Sequence, residues 1–433
     1  MNGVGPGETI ACLRLPHTGF DHLDRGLENL GRGDLVTWFG PDAAAQWSGR
    51  IIAPFPFSGM WRFADKSVLQ AWISAAFARV DLTSETAKKF IIALDCSSEG
   101  FYPQPLYLSN ILDFFRDFFR ERGAAEPDLL FLTASHGSAE RYRSACDAYG
   151  LEQGRMKVVT LHSQLYFFLG NVARAESGFD LNRLLHQIDT RRDRPKKFLS
   201  LNYMPRWWRY ALALKLLADG QLVDGLVSFH GKSVPTNMLE GGWHDNVALR
   251  AELIGEGVDP AYCDHLERLD AMSPLLVDTP AQIDRTSFAY DSPDAGLYAS
   301  TRFSIVTESD LNGHGGSRFT EKALKPLAYG HPFLTLGHSG LIRQLKALGF
   351  RTSSAIVDEG YDDIENNIER VRFIFREIDR LLSMSRDQLR DACFSMRDDL
   401  IHNAVHSRIG VARAAASHPG VAELLALTAP GGG

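Results

Sequence analysis

From Lys89 onward, short unbroken apolar runs alternate with stretches whose apolar residues recur at helical spacing. "KFIIALDCSSEG" predicts a buried strand ending in a polar turn. "LSNILDFFRDFFRER" predicts a helix that stops at Gly123. "PDLLFLTASHGS" predicts a second strand, "AERYRSACDAYG" a helix closed by Gly150, and "MKVVTLHSQ" a third strand. Strands that read as continuous apolar runs belong to a mostly parallel sheet covered on both faces. Upstream, "ACLRLP" and "GRIIAPFPF" predict two short strands in an otherwise irregular opening.

The pattern pauses in "HQIDTRRDRPKK", which predicts a domain junction near Arg192–Lys196, and then resumes. "KKFLSLNYMPR" predicts strand then turn, "WWRYALALKLLADG" a helix with a glycine stop, and "LVDGLVSFHG" a strand. Between Lys232 and Ser300 only two short helices are expected. Beyond residue 300 come the strand "RFSIVTES", a glycine-rich loop, the helix "FTEKALKPLAYG", the strand "HPFLTLG", the helix "HSGLIRQLKALG" and a short strand in "FRTSSAIVDEGY". Two or three helices and a small flexible tail close the chain. The expected fold class is α/β: two Rossmann-like domains, 1–192 and 193–385, with a C-terminal helical segment over 386–433.

Composition narrows the function classes. Lys and Arg total 46 against 53 Asp and Glu, giving a net charge of −7 that argues against bulk nucleic-acid binding. The five cysteines are scattered with no CxxC pair, as expected of reduced thiols in a cytoplasmic protein. The first residues lack a basic region followed by an apolar one, so no secretory signal is expected. Nor is any apolar run near the roughly 18 residues of a membrane span. Tryptophans beside arginines in "WRFADKSVLQAWISAAF" and "YMPRWWRYALALKLL" fit a core edge, a substrate-facing surface or peripheral contact with the inner face of a membrane.

In open α/β sheets, ligands bind where the strands end. Such ends carry Asp95, Ser97, Ser98 and Glu99, then Ser135 and His136, then Thr160 and His162. In "SRFTEKALKPLAYG", Thr320 is the expected N-cap, with Glu321 and Lys322 in the first turn and Lys325 three residues further on. Lysines at a helix start are unfavourable unless an anion is present. A charged, solvent-exposed helix is the plain alternative. Glu308, Glu321 and Glu359 would bring three acids to the same edge. Acids that accept from hydroxyls beside cations that hold phosphate suit a nucleotide sugar. The acids have no common metal-ligand spacing, so no metal is expected.

These segments resemble the GT-B glycosyltransferases, in particular the fucosyltransferase-like bacterial enzymes that build surface polysaccharides. The matching text is "FSIVTESDLNGHGGSRFTEKALKPLAYGHPFLTLG" and "GFRTSSAIVDEGYDD", with Ser353 where an aromatic is more usual. "KKFLSLNYMPRWWRYALALKLL" resembles the opening of their donor domain, with Tyr203 in place of an arginine while Arg206 and Arg209 remain. The likeness covers roughly Lys196 to Asp363. It implies a GT-B architecture and a nucleoside-diphosphate sugar as donor substrate, a GDP-sugar before others, with no separate cofactor. It further implies a glycan, lipid-linked or protein acceptor. By position, Glu321 would accept from the donor ribose and Glu308 would sit near the donor sugar. Lys322, Arg206 and Arg318 would hold the diphosphate.

Transfer from such a donor needs cations at the leaving diphosphate, for which Arg206, Arg209 and Lys322 are the candidates. An inverting route also needs a base for the acceptor hydroxyl, for which Glu99 leads Asp95 and His136. Two other readings stay open: an epimerase-type enzyme acting on nucleotide sugars, and a glycan- or nucleotide-binding protein without turnover. The sequence offers no G-x-G-x-x-G after a strand, no G-x-x-x-x-G-K-[ST] phosphate loop and no G-x-S-x-G elbow.

Overall fold

The structure is a computed structural model. It describes residues 9–13, 35–56, 87–96, 105–133, 137–161, 181–189, 193–234, 245–277, 295–311, 320–410 and 418–429, with a few isolated positions besides. The chain divides into two compact units. One comprises Met1–Phe167, His314–Arg318 and Val411–Gly433; the other comprises Phe168–Gly313 and Phe319–Gly410.

The first unit holds a parallel sheet of β1 (Ile10–Leu13), β2 (Val36–Phe39), β3 (Ile51–Pro56), β4 (Phe90–Cys96), β5 (Asp128–Thr133) and β6 (Met156–Thr160). Their order is β2-β1-β3-β4-β5-β6. The described helices between them are α1 (Pro41–Gln46), α2 (Pro105–Glu121) and α3 (Ser138–Tyr149). Alternate residues of the strands (Ile51 and Ala53, Phe90 with Ile92 and Leu94, Leu129 and Phe131) share one core cluster with Phe114, Phe115, Phe118 and Phe119 of α2. Each Ile, Leu and Phe side chain among them contributes about 1.5–3 kcal/mol through burial, which fixes α2 on that face. Gly150 ends α3 at φ 64°, in the left-handed region where glycine carries no Cβ penalty. The last helix, Pro419–Thr428, returns to this unit, where the Thr428 hydroxyl donates to the Thr9 carbonyl at 3.2 Å. The tail thus carries a helix, while its last residues, 430–433, where flexibility is expected, lie outside the described residues. Strand β2 was not foreseen: its four residues are all half-buried, so it presents no continuous apolar run.

The second unit holds β7 (Lys196–Asn202), β8 (Gly225–Phe229), β9 (Thr301–Thr307) and β10 (Phe333–Leu336), parallel in the order β10-β9-β7-β8. Its helices are α4 (Leu181–Ile188), α5 (Trp207–Ala218), α6 (Asn246–Gly255), α7 (Pro260–Cys263), α8 (Leu266–Met272), α9 (Ala295–Ala299), α10 (Glu321–Ala328), α11 (Leu341–Ala347), α12 (Asn367–Ser383), α13 (Arg386–Ser395) and α14 (Arg397–Val405). Two parallel sheets flanked by helices, with helices following the second sheet, match the α/β class expected from the sequence.

Helix α5 is buried on every side from Trp207 to Leu217. The Trp207–Trp208–Arg209 cluster is therefore core and not an exposed surface for a membrane, while most of the other cluster, in 61–77, lies outside the described residues. The expected strand in 350–361 is absent; turns and a short 3-10 helix, Glu359–Asp363, replace it. Ser353 accounts for the difference. Its hydroxyl accepts the Phe333 N–H at 2.8 Å, and its carbonyl accepts from Ile356 and Val357, so the segment closes on itself beside β10 without pairing as a strand.

Candidate functional site

Strand order reverses between β7 and β9 in the second unit: the chain leaves β7 toward β8, then returns to the other side for β9 and β10. Connections that diverge from two neighbouring strands open a crevice beyond their carboxyl ends. Asn202 ends β7, while Thr307 and Glu308 end β9. The Thr307 hydroxyl donates to Asn202 Oδ1, and Asn202 Nδ2 donates to the Ser200 hydroxyl at 3.0 Å.

The first turn of α5 is tied to this edge. Trp208 Nε1 donates to the Glu308 carbonyl at 3.1 Å. The buried Arg209 guanidinium donates to the carbonyls of Met204 (2.7 Å), Thr307 (3.2 Å) and Glu308 (3.1 Å). Arg209 thus builds the edge by joining the β7–α5 turn to the end of β9. Arg206 is the N-cap residue of α5, half-buried, with Nη1 donating to the Pro205 carbonyl at 3.4 Å. Its side chain caps no backbone N–H, and the first turn of α5 contains no acid. Such a helix start carries partial positive charge and points backbone donors outward.

The start of α10 is different. Thr320 is its N-cap, accepting from Lys322 N at 3.3 Å. The buried Glu308 carboxylate accepts from the Thr320 hydroxyl, from Ala323 N at 3.1 Å and from Ser309 N at 3.2 Å. The helix that looked like an anion cradle already holds a carboxylate of its own. Gly337, at the end of β10, lies against that carboxylate's stem: a Cβ there would meet Glu308 Cγ at 3.3 Å and Leu341 at 3.2 Å.

Lys322 Nζ donates to Glu321 Oε1 at 2.6 Å and to the Ser309 hydroxyl at 3.2 Å. Burial alone would raise the Glu321 pKa, but the Lys322 and Lys325 charges and the Lys322 hydrogen bond outweigh it and hold the carboxyl at about 2. Burial pulls Lys322 below the usual ammonium value; the Arg209 charge adds to that fall, and Glu321 and Glu308 oppose it. The edge therefore combines Glu321, whose carboxyl is ionised near pH 7, with Lys322 and Arg209 and the uncapped start of α5.

Glu359 stands apart from this group. Its carboxylate accepts from Lys346 Nζ at 2.7 Å and the Thr352 hydroxyl at 2.9 Å. Next to it, Asp362 accepts from the backbone N–H groups of Ile342 (2.9 Å) and Arg343 (3.0 Å), capping α11. The "DEGYDD" stretch therefore locks the β10–α11 connection. Arg370, absent from the expected set, is buried and donates to the carbonyls of Gly337 (2.9 Å), Glu365 (3.1 Å), Leu311 and Ile364. It fixes both the end of β10 and the entry to the glycine-rich loop.

In the first unit, Asp95 is buried at the end of β4 and accepts the Leu23 N–H at 2.7 Å. Glu99, His136 and Arg318 lie outside the described residues. Among the described residues, no group of three His, Cys, Asp or Glu side chains is placed to hold a metal ion. No described helix is long and apolar enough to cross a membrane.

No family model matches the chain, and no curated protein matches it. Among solved structures it is similar to a chain in the crystal structure of the GtfA/B complex, at 12% identity and a TM-score of 0.34. That likeness covers 88% of this chain and 58% of the other, so this chain spans less than two thirds of that chain's length.

Proposed function

We propose that the chain is a GT-B-type glycosyltransferase that moves a hexosyl or deoxyhexosyl group from a nucleoside-diphosphate sugar to a hydroxyl of a glycan, lipid-linked or protein acceptor. The observation that carries this reading is the carboxyl edge of β7 and β9: the start of α5 has no side-chain cap, and the Lys322 ammonium, which feels the Arg209 charge, donates to an ionised Glu321. Cations and backbone donors suit a diphosphate, and a carboxylate that stays ionised suits the paired hydroxyls of a ribose.

In the proposed reaction the acceptor oxygen attacks the anomeric carbon while the bond from that carbon to the diphosphate oxygen breaks. The bonding pair leaves on the diphosphate, whose new charge is met by Lys322, Arg206 and the start of α5. The acceptor oxygen attacks from the face opposite the leaving group, which inverts the anomeric centre, and its hydroxyl proton passes to a carboxylate. Asp95 is engaged with the Leu23 backbone, so Glu99 is the preferred base, with His136 behind it.

A thermal-shift screen of GDP, UDP, CMP and dTDP and their sugar conjugates tests the reading. A ligand that binds only the folded chain raises its melting temperature by linkage. One base is expected to give a selective rise, with GDP compounds first in order; flat responses to all of them sink the proposal.

A further inference from the structure

A groove of about 670 Å³ opens within the second unit between α5, the α6–α7 turn and α12. Its size is that of a pocket for a small organic ligand. None of the residues named for the proposed reaction lines it. One stripe of α12 forms a wall: Ile368, Arg372, Phe375 and Arg376 recur at three- and four-residue spacing along the groove. Facing them is the turn that joins α6 to α7. Gly257 in that turn has φ 79°, and a Cβ there would meet Ile368 Cγ2 at 2.7 Å. Glycine therefore lets the turn close against α12 at this point. Tyr262 of α7 continues that wall, and α5 supplies the floor through Trp207 and Lys215.

The charges of the groove fall into two classes, committed and free. The buried Lys215 ammonium donates to Asp219 at 2.6 Å and to Asp379, and it lies 6.0 Å from the Tyr262 ring centre and 5.9 Å from that of Phe375. Asp259 caps α7, accepting the Ala261 N–H at 2.9 Å. Arg372 and Arg376 are exposed, and among the described residues neither forms an ion pair. Arg372 Nη2 donates to the Gly257 carbonyl at 3.5 Å, and the Arg376 guanidinium sits 5.2 Å from the Phe373 ring centre. The remaining acid is Glu256, half-buried and without a cation partner among the described residues. Burial and the Glu252 charge raise its pKa. Two free guanidiniums thus face one free carboxyl, beside the flat faces of two half-buried rings.

We propose that this groove is a binding site for a small planar anion, an aromatic ring that carries a carboxylate, sulfonate or phosphate. The ring lies against Tyr262 and Phe375, and the acid group meets Arg372 and Arg376, one helical turn apart on α12. The site stands independently of the reading given to the β7–β9 edge. Trp207 is in the first turn of α5 and Lys215 is eight residues on, about 12 Å along the axis. The groove therefore runs down the flank of α5, away from the strand ends.

Fluorescence titration with anilinonaphthalene sulfonate and with its uncharged analogue, phenylnaphthylamine, tests the site. The unaltered chain is expected to bind the sulfonate saturably. The double variant Arg372→Ala, Arg376→Ala should weaken the sulfonate about tenfold and leave phenylnaphthylamine within about twofold. Glu256→Gln should tighten the sulfonate about twofold, because a wall carboxylate repels an anion. These three side chains are exposed or half-buried, so their replacement keeps the fold. Absence of saturable binding, or an unchanged sulfonate affinity in the double variant, overturns the site. Displacement of the sulfonate by GDP or UDP would make the groove part of a nucleotide site and overturns it as a separate one.

Discussion

The Glu308 carboxylate accepts the Ala323 backbone N–H at 3.1 Å, giving helix α10 an acid at its first turn from a strand end 15 positions earlier. The same carboxylate takes the Thr320 hydroxyl and the Ser309 N–H. Replacing it with alanine strands buried donors, so Glu308→Ala is expected to lose about 2–4 kcal/mol, and Glu308→Gln about half as much. Urea unfolding measures both. An alanine variant as stable as the unaltered chain would show that the capping contacts carry no weight.

Two adjacent acids give a sharper contrast. Asp362 caps α11 through Ile342 and Arg343, whereas the Asp363 side chain is 81% exposed. Asp362→Ala should cost about 1–2 kcal/mol. Asp363→Ala should stay within about 0.5 kcal/mol. Equal effects at the two positions would contradict the capping role.

His331 predicts a pH dependence. Its Nδ1 accepts from the Ser304 hydroxyl at 2.8 Å and its Nε2 donates to the Thr301 carbonyl at 2.8 Å. Burial, helped by the Arg194 charge, lowers its pKa from 6.5 to about 3. The unfolded chain therefore binds the proton first. This contribution is complete above pH 6.5 and is lost as the pH falls toward 3, at about 1.4 kcal/mol per pH unit. Glu321, lowered from 4.5 to about 2, adds its own loss only below pH 4.5. Stability measured between pH 6.5 and 4.5 should thus fall more steeply for the unaltered chain than for His331→Asn. Parallel slopes would refute it.

Much of this fold was legible because its central strands are buried on both faces. Ile91–Leu94 and Leu129–Leu132 read as unbroken apolar runs. Val36–Phe39, half-buried at a sheet edge, gave no such signal. In 350–361 the apolar Phe350, Ile356 and Val357 imitate a strand, yet Ile356 and Val357 are buried from a turn closed by Ser353, and Phe350 from a position where its N–H donates to the Leu345 carbonyl of α11. At the site, the Thr320 cap was readable from local sequence. That Glu308 caps the same helix, and that Arg209 binds carbonyls, was not: both depend on contacts between distant segments, at 15 and about 100 positions' separation. Under the proposed function, those contacts move the anion site from the start of α10 to the start of α5.

Glu99 separates an enzyme from a binding protein. Glu99→Ala is expected to abolish transfer while leaving donor affinity within about twofold, since a proton acceptor acts on the acceptor hydroxyl and not on the donor. Unchanged transfer removes Glu99 from the mechanism.

The central claim is that the carboxyl edge of β7 and β9 holds a diphosphate, and calorimetric titration of Lys322→Ala with a nucleoside diphosphate and its parent nucleoside tests it most directly. Removal of a charge-assisted contact worth about 1.5–3 kcal/mol should weaken the diphosphate at least about tenfold. The nucleoside, which meets Lys322 only through the hydrogen bond that Lys322 gives to Glu321, should weaken by less than the diphosphate. Equal affinity of the two proteins for the diphosphate would contradict the account.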